Sequence, residues 1–528
     1  MFVRKKPNKS GKVSVQVVLK SKSRKQQVVK TIGCSDDAEE IERLVAEGRK
    51  YIEQHCDSPM LPGLDETEND IDSFVASLSN SQIRIAGPEL VFGRLYDKIG
   101  YNAIPSEMFR HMVICRLFNP GSKLRTVDYL ERYLHVRYDV NKIYRFLDDL
   151  CYRKEDDKNP DKKRSEKPDF KHLVENISFD YTKKIVGGDI SVCFYDMTTL
   201  YWEAEEEDDL RKCGFSKDGK HSCPQIFLGL LVTSGGNPIG YEIYEGNISE
   251  GKTIVPIVKA LAERFGFSKP IVIADAGLLS RANITALVDD GYKFILGARP
   301  RSESSDVKER ILALNMENGD VCELDKDNAN GVRLVLSRTE KRKKKDERNR
   351  KKGLERLRKR LGNGNLTKQH INNRGYNKYL RMEGDVKISI DMDKYNADAA
   401  WDGIKGYVTN TDLSKEDVIA NYGNLWYIER AFRFNKFDLA VRPVYHRLRN
   451  RIEGHICICF TSYTILLELE RLLKAAKSEI TVYRAQELTK NMYAIRYTHP
   501  KSKVTKEVAL GMDEVQLELC RIVSGKDG

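Results

Sequence analysis

Apolar and polar residues alternate at Val13, Val15 and Val17, and apolar positions return over 26–32 beyond Ser21-Lys22-Ser23-Arg24, which predicts a basic β-hairpin. A helix is expected over 36–56, with Asp36 and Asp37 near its start, followed by an acidic, polar linker over 58–80. Residues 87–150 read as helices: one over 106–118 stopped by Pro120-Gly121, one over 123–134, and one from 141. Lys123, Arg125, Arg132, Lys142 and Arg145 are expected on their outer faces. That pattern suits a helix-turn-helix-like DNA reader and, equally, an ordinary helical bundle. Residues 153–168 are almost all charged or proline and mark a boundary.

The period changes after 190. An apolar strand over 190–195 runs up to Asp196, and a hairpin over 225–233 and 238–244 turns at Ser234-Gly235-Gly236-Asn237. A helix over 253–265, a strand over 270–274 ending at Asp275, a helix over 280–290 and a strand over 293–297 follow. This order predicts a mixed α/β sheet of the ribonuclease H-like kind. Between 300 and 411 the pattern breaks into short strand-like runs at 332–337, 386–390 and 406–409, interrupted by a basic helix over 340–361 with a narrow stripe of Leu354, Leu357 and Leu361. No breaker falls within 424–436, so Leu425, Ile428 and Phe432 predict the core stripe of one amphipathic helix. Tyr422, Glu429 and Lys436, seven apart, would stack with Arg433 on a second face. A long apolar helix over 449–473 is expected to cover the sheet, and a small mixed tail closes the chain.

Charge narrows the function. The 528 residues leave room for two to four domains and carry a net charge of +12. Residues 1–35 hold ten Lys or Arg and no acid, and 341–361 hold thirteen against three acids. Such clustering points to a polyanion, nucleic acid above all. No apolar run is long enough for a membrane span, no signal core opens the chain, and a cytoplasmic protein is expected. Eleven cysteines without a CxxC pair read as reduced thiols rather than a disulfide framework.

Three carboxylates stand out by position: Asp196 and Asp275 at strand ends, and Glu429 on a helix expected to pack on the same sheet. Clustered acids repel unless a cation neutralises them, and oxygen donors select Mg²⁺ or Mn²⁺ over zinc. Two such ions roughly 4 Å apart act on both sides of a phosphodiester, which suits a chain with nine histidines. Taken singly, a strand-end Asp is commonly a cap or turn former and a helical Glu a solvated charge. Trp401 and Trp426 offer stacking surfaces for an unpaired base or belong to the core.

The stretch Tyr422-x2-Leu425-x3-Glu429-x6-Lys436 resembles the Tyr-x2-Arg-x3-Glu-x6-Lys signature of a large group of bacterial insertion-sequence DDE transposases. Leu425 replaces the usual Arg, and Arg430 or Arg433 is expected to stand in for it. Gly214-Phe-Ser-Lys-Asp218 and Glu245-Gly-Asn-Ile-Ser-Glu250 resemble further blocks of the group, and the likeness runs from about residue 1 into the helix after Arg442-Pro443. It implies a ribonuclease H-like catalytic domain (180–300 and 412–475) interrupted by a β-rich insertion (301–411). A basic β-hairpin and helix (1–57), a helical DNA-binding domain (81–152) and an α/β tail (476–528) would complete the chain. It further implies Mg²⁺, replaceable by Mn²⁺, on the catalytic Asp196, Asp275 and Glu429. DNA would be held by Tyr422, Arg433, Lys436, Arg442 and Trp401, with Lys343, Lys344, Lys345, Arg4, Lys5 and Lys6 on the backbone. The partners implied are double-stranded DNA, as element ends and target, and a second copy of the chain in a bacterial cytoplasm at the nucleoid. A structure-selective nuclease on the same fold, or a non-catalytic DNA-binding descendant, are the alternatives.

Overall fold

The computed structural model describes residues 2–8, 10–20, 26–55, 79–151, 169–203, 206–216, 219–266, 268–327, 330–363, 366–367, 370–372, 375–383, 387–433, 444, 446–498 and 504–525. They fall into two compact units, Met1–Asn80 and Ser81–Gly528.

In the first unit the strands β1 (Phe2–Pro7), β2 (Val13–Lys20) and β3 (Gln26–Ser35) form an antiparallel sheet in that order, with helix α1 (Ala38–His55) packed on it. Val15, Val17 and Val18 are fully buried beneath α1. Irregular pairing between β2 and β3 at Val17/Val18 lets two consecutive valines turn inward. Gly33 faces Leu44 so closely that a Cβ would clash, which sets how near α1 can approach. The third strand, β1, is absent from the sequence expectation. It pairs through its backbone from Phe2↔Val18 to Pro7↔Val13 while most of its side chains stay in solvent, so it leaves no alternating signature. The expected turn at 21–24 lies outside the described residues.

The second unit opens with β4 (Ile83–Ile85) and the helices α2 (Arg94–Ile99), α3 (Glu107–Phe118), α4 (Lys123–Leu134), α5 (Val140–Leu150) and α6 (Phe170–Val186). Ser106 and Ser122 cap α3 and α4 by accepting the Phe109 and Arg125 amides. Arg125, Lys142 and Arg145 are exposed as expected. Lys123 is not: it is only 5% exposed and lies with buried Thr126 on the inner side of a first turn whose Leu124 and Arg125 face outward.

The centre of the unit is an eight-stranded mixed sheet, in spatial order β10-β11-β14-β9-β8-β5-β6-β7. Its members are β5 (Val192–Tyr201), β6 (Gln225–Thr233), β7 (Pro238–Glu245), β8 (Ile271–Ala274), β9 (Phe294–Ala298), β10 (Val321–Asp327), β11 (Val332–Arg338) and β14 (Ile404–Thr409). β5, β8 and β9 run parallel and the other pairings are antiparallel. Helices α7 (Ile254–Phe265), α8 (Arg281–Asp289) and α9 (Ser305–Ala313) accompany it. β5 shows why the sheet needs cover on both faces: Cys193, Tyr195 and Met197 enter one core, while Phe194 and Leu200 enter the other.

Most strand-like runs expected of an insertion belong to this sheet instead, since β10, β11 and β14 extend it antiparallel beyond β9. What projects is α10 (Glu340–Gly362), the ladder β12 (Leu380–Glu383) with β13 (Lys387–Ile390), and α11 (Met392–Ala397), around Leu354, Leu357, Tyr379, Leu380 and Tyr395. The chain continues through α12 (Lys415–Gly423), α13 (Trp426–Arg433) and the long α14 (Arg449–Ala475), which packs on α3, α5, α6 and β7. The tail of α15 (Val482–Thr489), β15 (Tyr493–Thr498), β16 (Thr505–Ala509) and α16 (Glu514–Ser524) pairs β15 with β4. No helix among the described residues is long and apolar enough to cross a membrane.

Candidate active site

Asp196 does not end its strand. β5 continues through Met197-Thr-Thr-Leu-Tyr201, whose apolar and β-branched residues pair along β6 as far as Tyr201↔Gln225, so Asp196 sits mid-strand opposite Leu230. Asp275 immediately follows β8. The parallel register Tyr195↔Ala274 sets the two aspartates at successive positions on neighbouring strands.

The stretch 422–436 expected as one helix is broken: Tyr422 belongs to α12, α13 covers Trp426–Arg433, and 434–436 lie outside the described residues. Gly423 and Asn424 end α12, the amides of Asn424 and Leu425 bond back to the carbonyls of Asn421 and Tyr422, and α13 begins at Trp426. Tyr422 and Glu429 therefore stand on successive helices rather than on one face. Leu425, Ile428 and Phe432 are buried as the stripe predicts.

The join places Tyr422 over the strand ends. Its hydroxyl donates to Asp275 Oδ1 at 3.0 Å and lies against Gly297, where a Cβ would collide with it. Burial pushes the Tyr422 phenol above its ordinary pKa, and Asp275, Tyr407 and Asp196 push the same way, so the group remains a proton donor. The Tyr407 ring meets the Tyr422 ring edge-on at 4.9 Å. Over both rings sits the ammonium of Lys405 on β14, 4.4 Å from the Tyr422 centroid and 5.2 Å from that of Tyr407. Burial lowers the Lys405 pKa, as does nearby Arg342, while Asp275 and Glu429 oppose them. Asp275 and Glu429 thus act on one ammonium, and Asp196 and Asp275 on one phenol.

Asp196 is half-buried and its Oδ1 accepts the Met197 amide at 2.7 Å, while Asp275 and Glu429 are exposed. Among the described residues no three His, Cys, Asp or Glu side chains converge tightly enough to enclose a metal ion. The donor set itself, oxygen-only carboxylates on two adjoining strands and a neighbouring helix, is of the kind hard divalent cations take.

The remaining expected residues scatter. Arg433 is exposed at the end of α13, and Lys436 and Arg442 lie outside the described residues. Arg430 pairs with Glu470 instead of facing the carboxylates. Trp401 is half-buried against the core under the sheet, whereas Trp426 is 45% exposed and stacks on Tyr427 at 4.0 Å. Lys343, Lys344 and Lys345 are exposed on α10. In the first unit Arg4 bonds Gln16, Lys5 pairs with Glu42, and Lys6 is exposed.

Three features escaped the sequence reading. Lys405 carried no signal beyond being a lone lysine just before the strand-like run 406–409, and Arg342 was one base among thirteen. The third is a corner that joins the blocks 214–218 and 245–250: buried Gln225 donates from Nε2 to the carbonyls of both Phe215 and Gly246 at 2.8 Å. Lys217 and Asp218 of the first block lie outside the described residues. At the end of the second block, the Glu250 carboxylate lies against Gly277, two residues past Asp275.

A family model described as the transposase DDE domain matches residues 187–465, more than half of the chain. The chain belongs to the DDE transposase family. The matched span holds Asp196, Asp275 and Glu429 together with every residue of the Tyr422 and Lys405 cluster. No curated protein matches the chain. Solved structures similar to this transposase include the piggyBac transposase synaptic complex with hairpin DNA, at 12% identity over 76% of each chain with a TM-score of 0.38. Another is the Mos1 transposase paired-end complex with left transposon end, at 10% identity over 47% of this chain and 71% of that one, TM-score 0.15.

Proposed function

We propose that this transposase binds the terminal inverted repeats of a bacterial insertion sequence, cuts a strand at each end and joins the 3′-hydroxyl ends to target DNA. The observation that supports the reading is the Tyr422 hydroxyl bonded to Asp275 beside the Lys405 ammonium, with Asp196 acting on that phenol and Glu429 on that ammonium, inside the span that matches the family. Asp196 and Asp275 on adjoining strands, with Glu429 from α13, would hold Mg²⁺ or Mn²⁺. When bound, such ions lower the pKa of the attacking water or 3′-hydroxyl and neutralise the leaving oxygen. The Tyr422 proton orients the Asp275 carboxylate, because burial opposes its loss.

Residues 1–57 and 81–152 would grip the repeats. Arg125, Lys142 and Arg145 are exposed for the task, and Lys343, Lys344 and Lys345 on α10 would follow a duplex backbone. Residues 180–300 and 412–475, with β10, β11 and β14 extending their sheet, would form the ribonuclease H-like catalytic domain, with the rest of 301–411 inserted and 476–528 as the tail. Two copies would pair two element ends in a bacterial cytoplasm.

The test is incubation with the element's own ends and Mg²⁺ or Mn²⁺, each cut mapped to the nucleotide. Cuts at the terminal repeat followed by joined products support the reading. Cleavage of branched DNA without regard to the repeat indicates a structure-selective nuclease, and binding without any cut indicates a non-catalytic descendant.

A further inference from the structure

We propose that Lys405 and Arg342 form a phosphate-binding pair at the candidate active site, holding the backbone of the DNA strand beside Asp275 and Glu429. The inference rests on the reading of that site as a strand-cutting centre.

Lys405 is fixed in place rather than waving in solvent. It extends from β14 in register with Ser337 of β11, is half-buried, and its ammonium is steered by the faces of Tyr422 and Tyr407. One of those rings is bonded to Asp275. Arg342 reaches the same place from another element. The start of α10 is stitched to the start of β14: the Thr339 amide donates to the Gly403 carbonyl at 3.2 Å, and the Gly403 amide to Asp346 Oδ2 at 3.2 Å. Asp346 in turn holds Arg342 Nε at 3.5 Å, and Arg350 of the same helix is anchored to buried Asp402 at 2.7 Å. This seam brings Arg342 within electrostatic reach of Lys405, on which Asp275 and Glu429 also act.

Among the described residues Lys405 has no ion pair within 4 Å, although Asp275 and Glu429 act on it from nearby. Two like charges facing each other are favoured when an anion lies between them. Three carboxylates, by contrast, would repel a phosphodiester unless fixed cations stood beside them. The position that holds Arg in the resembled signature is Leu425 here, buried at 8% exposure, and Arg430 is engaged with Glu470. Leu425 carries no charge and Arg430 is committed to Glu470, while the other expected stand-in, Arg433, is exposed at the end of α13. Lys405 and Arg342 add positive charge from β14 and α10.

The test uses the full chain with a duplex carrying one element end, bound in Ca²⁺ over a salt series, and cutting followed separately in Mg²⁺. The variants are Lys405→Met, Lys405→Arg, Arg342→Gln and the double Lys405→Met/Arg342→Gln. Each lost phosphate contact lowers the slope of log K against log salt by about 0.9, so the double variant should lose about 1.8. Lys405→Arg should keep the slope and most of the cutting. A duplex with a neutral methylphosphonate at the cut position should weaken wild-type binding but not that of Lys405→Met. Folded variants with an unchanged salt slope, or a methylphosphonate penalty equal to wild type in Lys405→Met, would overturn the proposal. The binding arms need no cutting, so they decide the role of the pair even if the wild-type chain cuts nothing, a result that would count against the parent reading alone.

Discussion

Gly246 shows how much one missing side chain can fix. A Cβ at this position would run into the carbonyls of Gln225 and Lys212, and one at Gly214 into the carbonyl of Gly246. Three segments meet there with only backbone between them, and Gln225 closes the corner with its two 2.8 Å bonds. Gln225, on β6, pairs with Tyr201 at the end of β5, five residues beyond Asp196, or roughly 17 Å along the strand. Gly246→Ala must open this corner and should cost about 1–3 kcal/mol, seen as a lower melting temperature. An unchanged melting temperature would mean that the loops close differently. The two sequence blocks were visible as motifs, but their joint purpose was not, because nothing in either block announces contact with Gln225. Tyr422 was legible for a simpler reason: its place in a spaced signature does not depend on which helix carries it.

Elements were most legible where a single period governs them. The helices over 106–118, 123–134 and 253–265 and the hairpin of β6 and β7 fall within a residue or two of expectation. Three kinds of element defeated the periodicity. β5 runs through a charged residue because its later residues pair with β6. The α12–α13 break lies at a Gly-Asn pair that counts for little against a strong apolar stripe. β10, β11 and β14 join the main sheet by long-range pairing that no local pattern encodes. The joint between α3, α4 and α14 brings a further consequence that chain order hides. Arg116, Lys123 and Arg451 surround His446, whose ring is 9% exposed and 5.6 Å from that of His455. Burial, then Lys123, Arg451 and Arg116, push the His446 pKa from 6.5 down to about 3. The folded chain keeps this ring neutral while the unfolded chain protonates it near pH 6.5. Its contribution is therefore full above that pH and is lost as pH falls toward 3. About 2 kcal/mol should disappear between pH 7 and pH 5. Melting curves at both values should show His446→Asn losing less stability on acidification than wild type; an equal loss would move the acid sensitivity elsewhere.

At the scale of the whole molecule, the candidate site is assembled from segments separated by more than two hundred residues. Asp196 and Asp275 come from parallel strands, Lys405 from the strand that returns after the α10 projection, and Tyr422 and Glu429 from two helices joined by a turn. The carboxylates and the basic character of the chain could be read from residue type and spacing. Lys405 and Arg342 could not, because they come within electrostatic reach of each other only when β14 docks on β9 and α10 folds back on the start of β14. The central claim is that three carboxylates work as one metal-dependent centre. It is tested most directly by the Mg²⁺-dependent cutting rate on the element's own ends for Asp196→Asn, Asp275→Asn and Glu429→Gln, each checked for unchanged end binding. The account predicts that every one of the three abolishes cutting while binding persists. A variant that still cuts at the wild-type rate would contradict it.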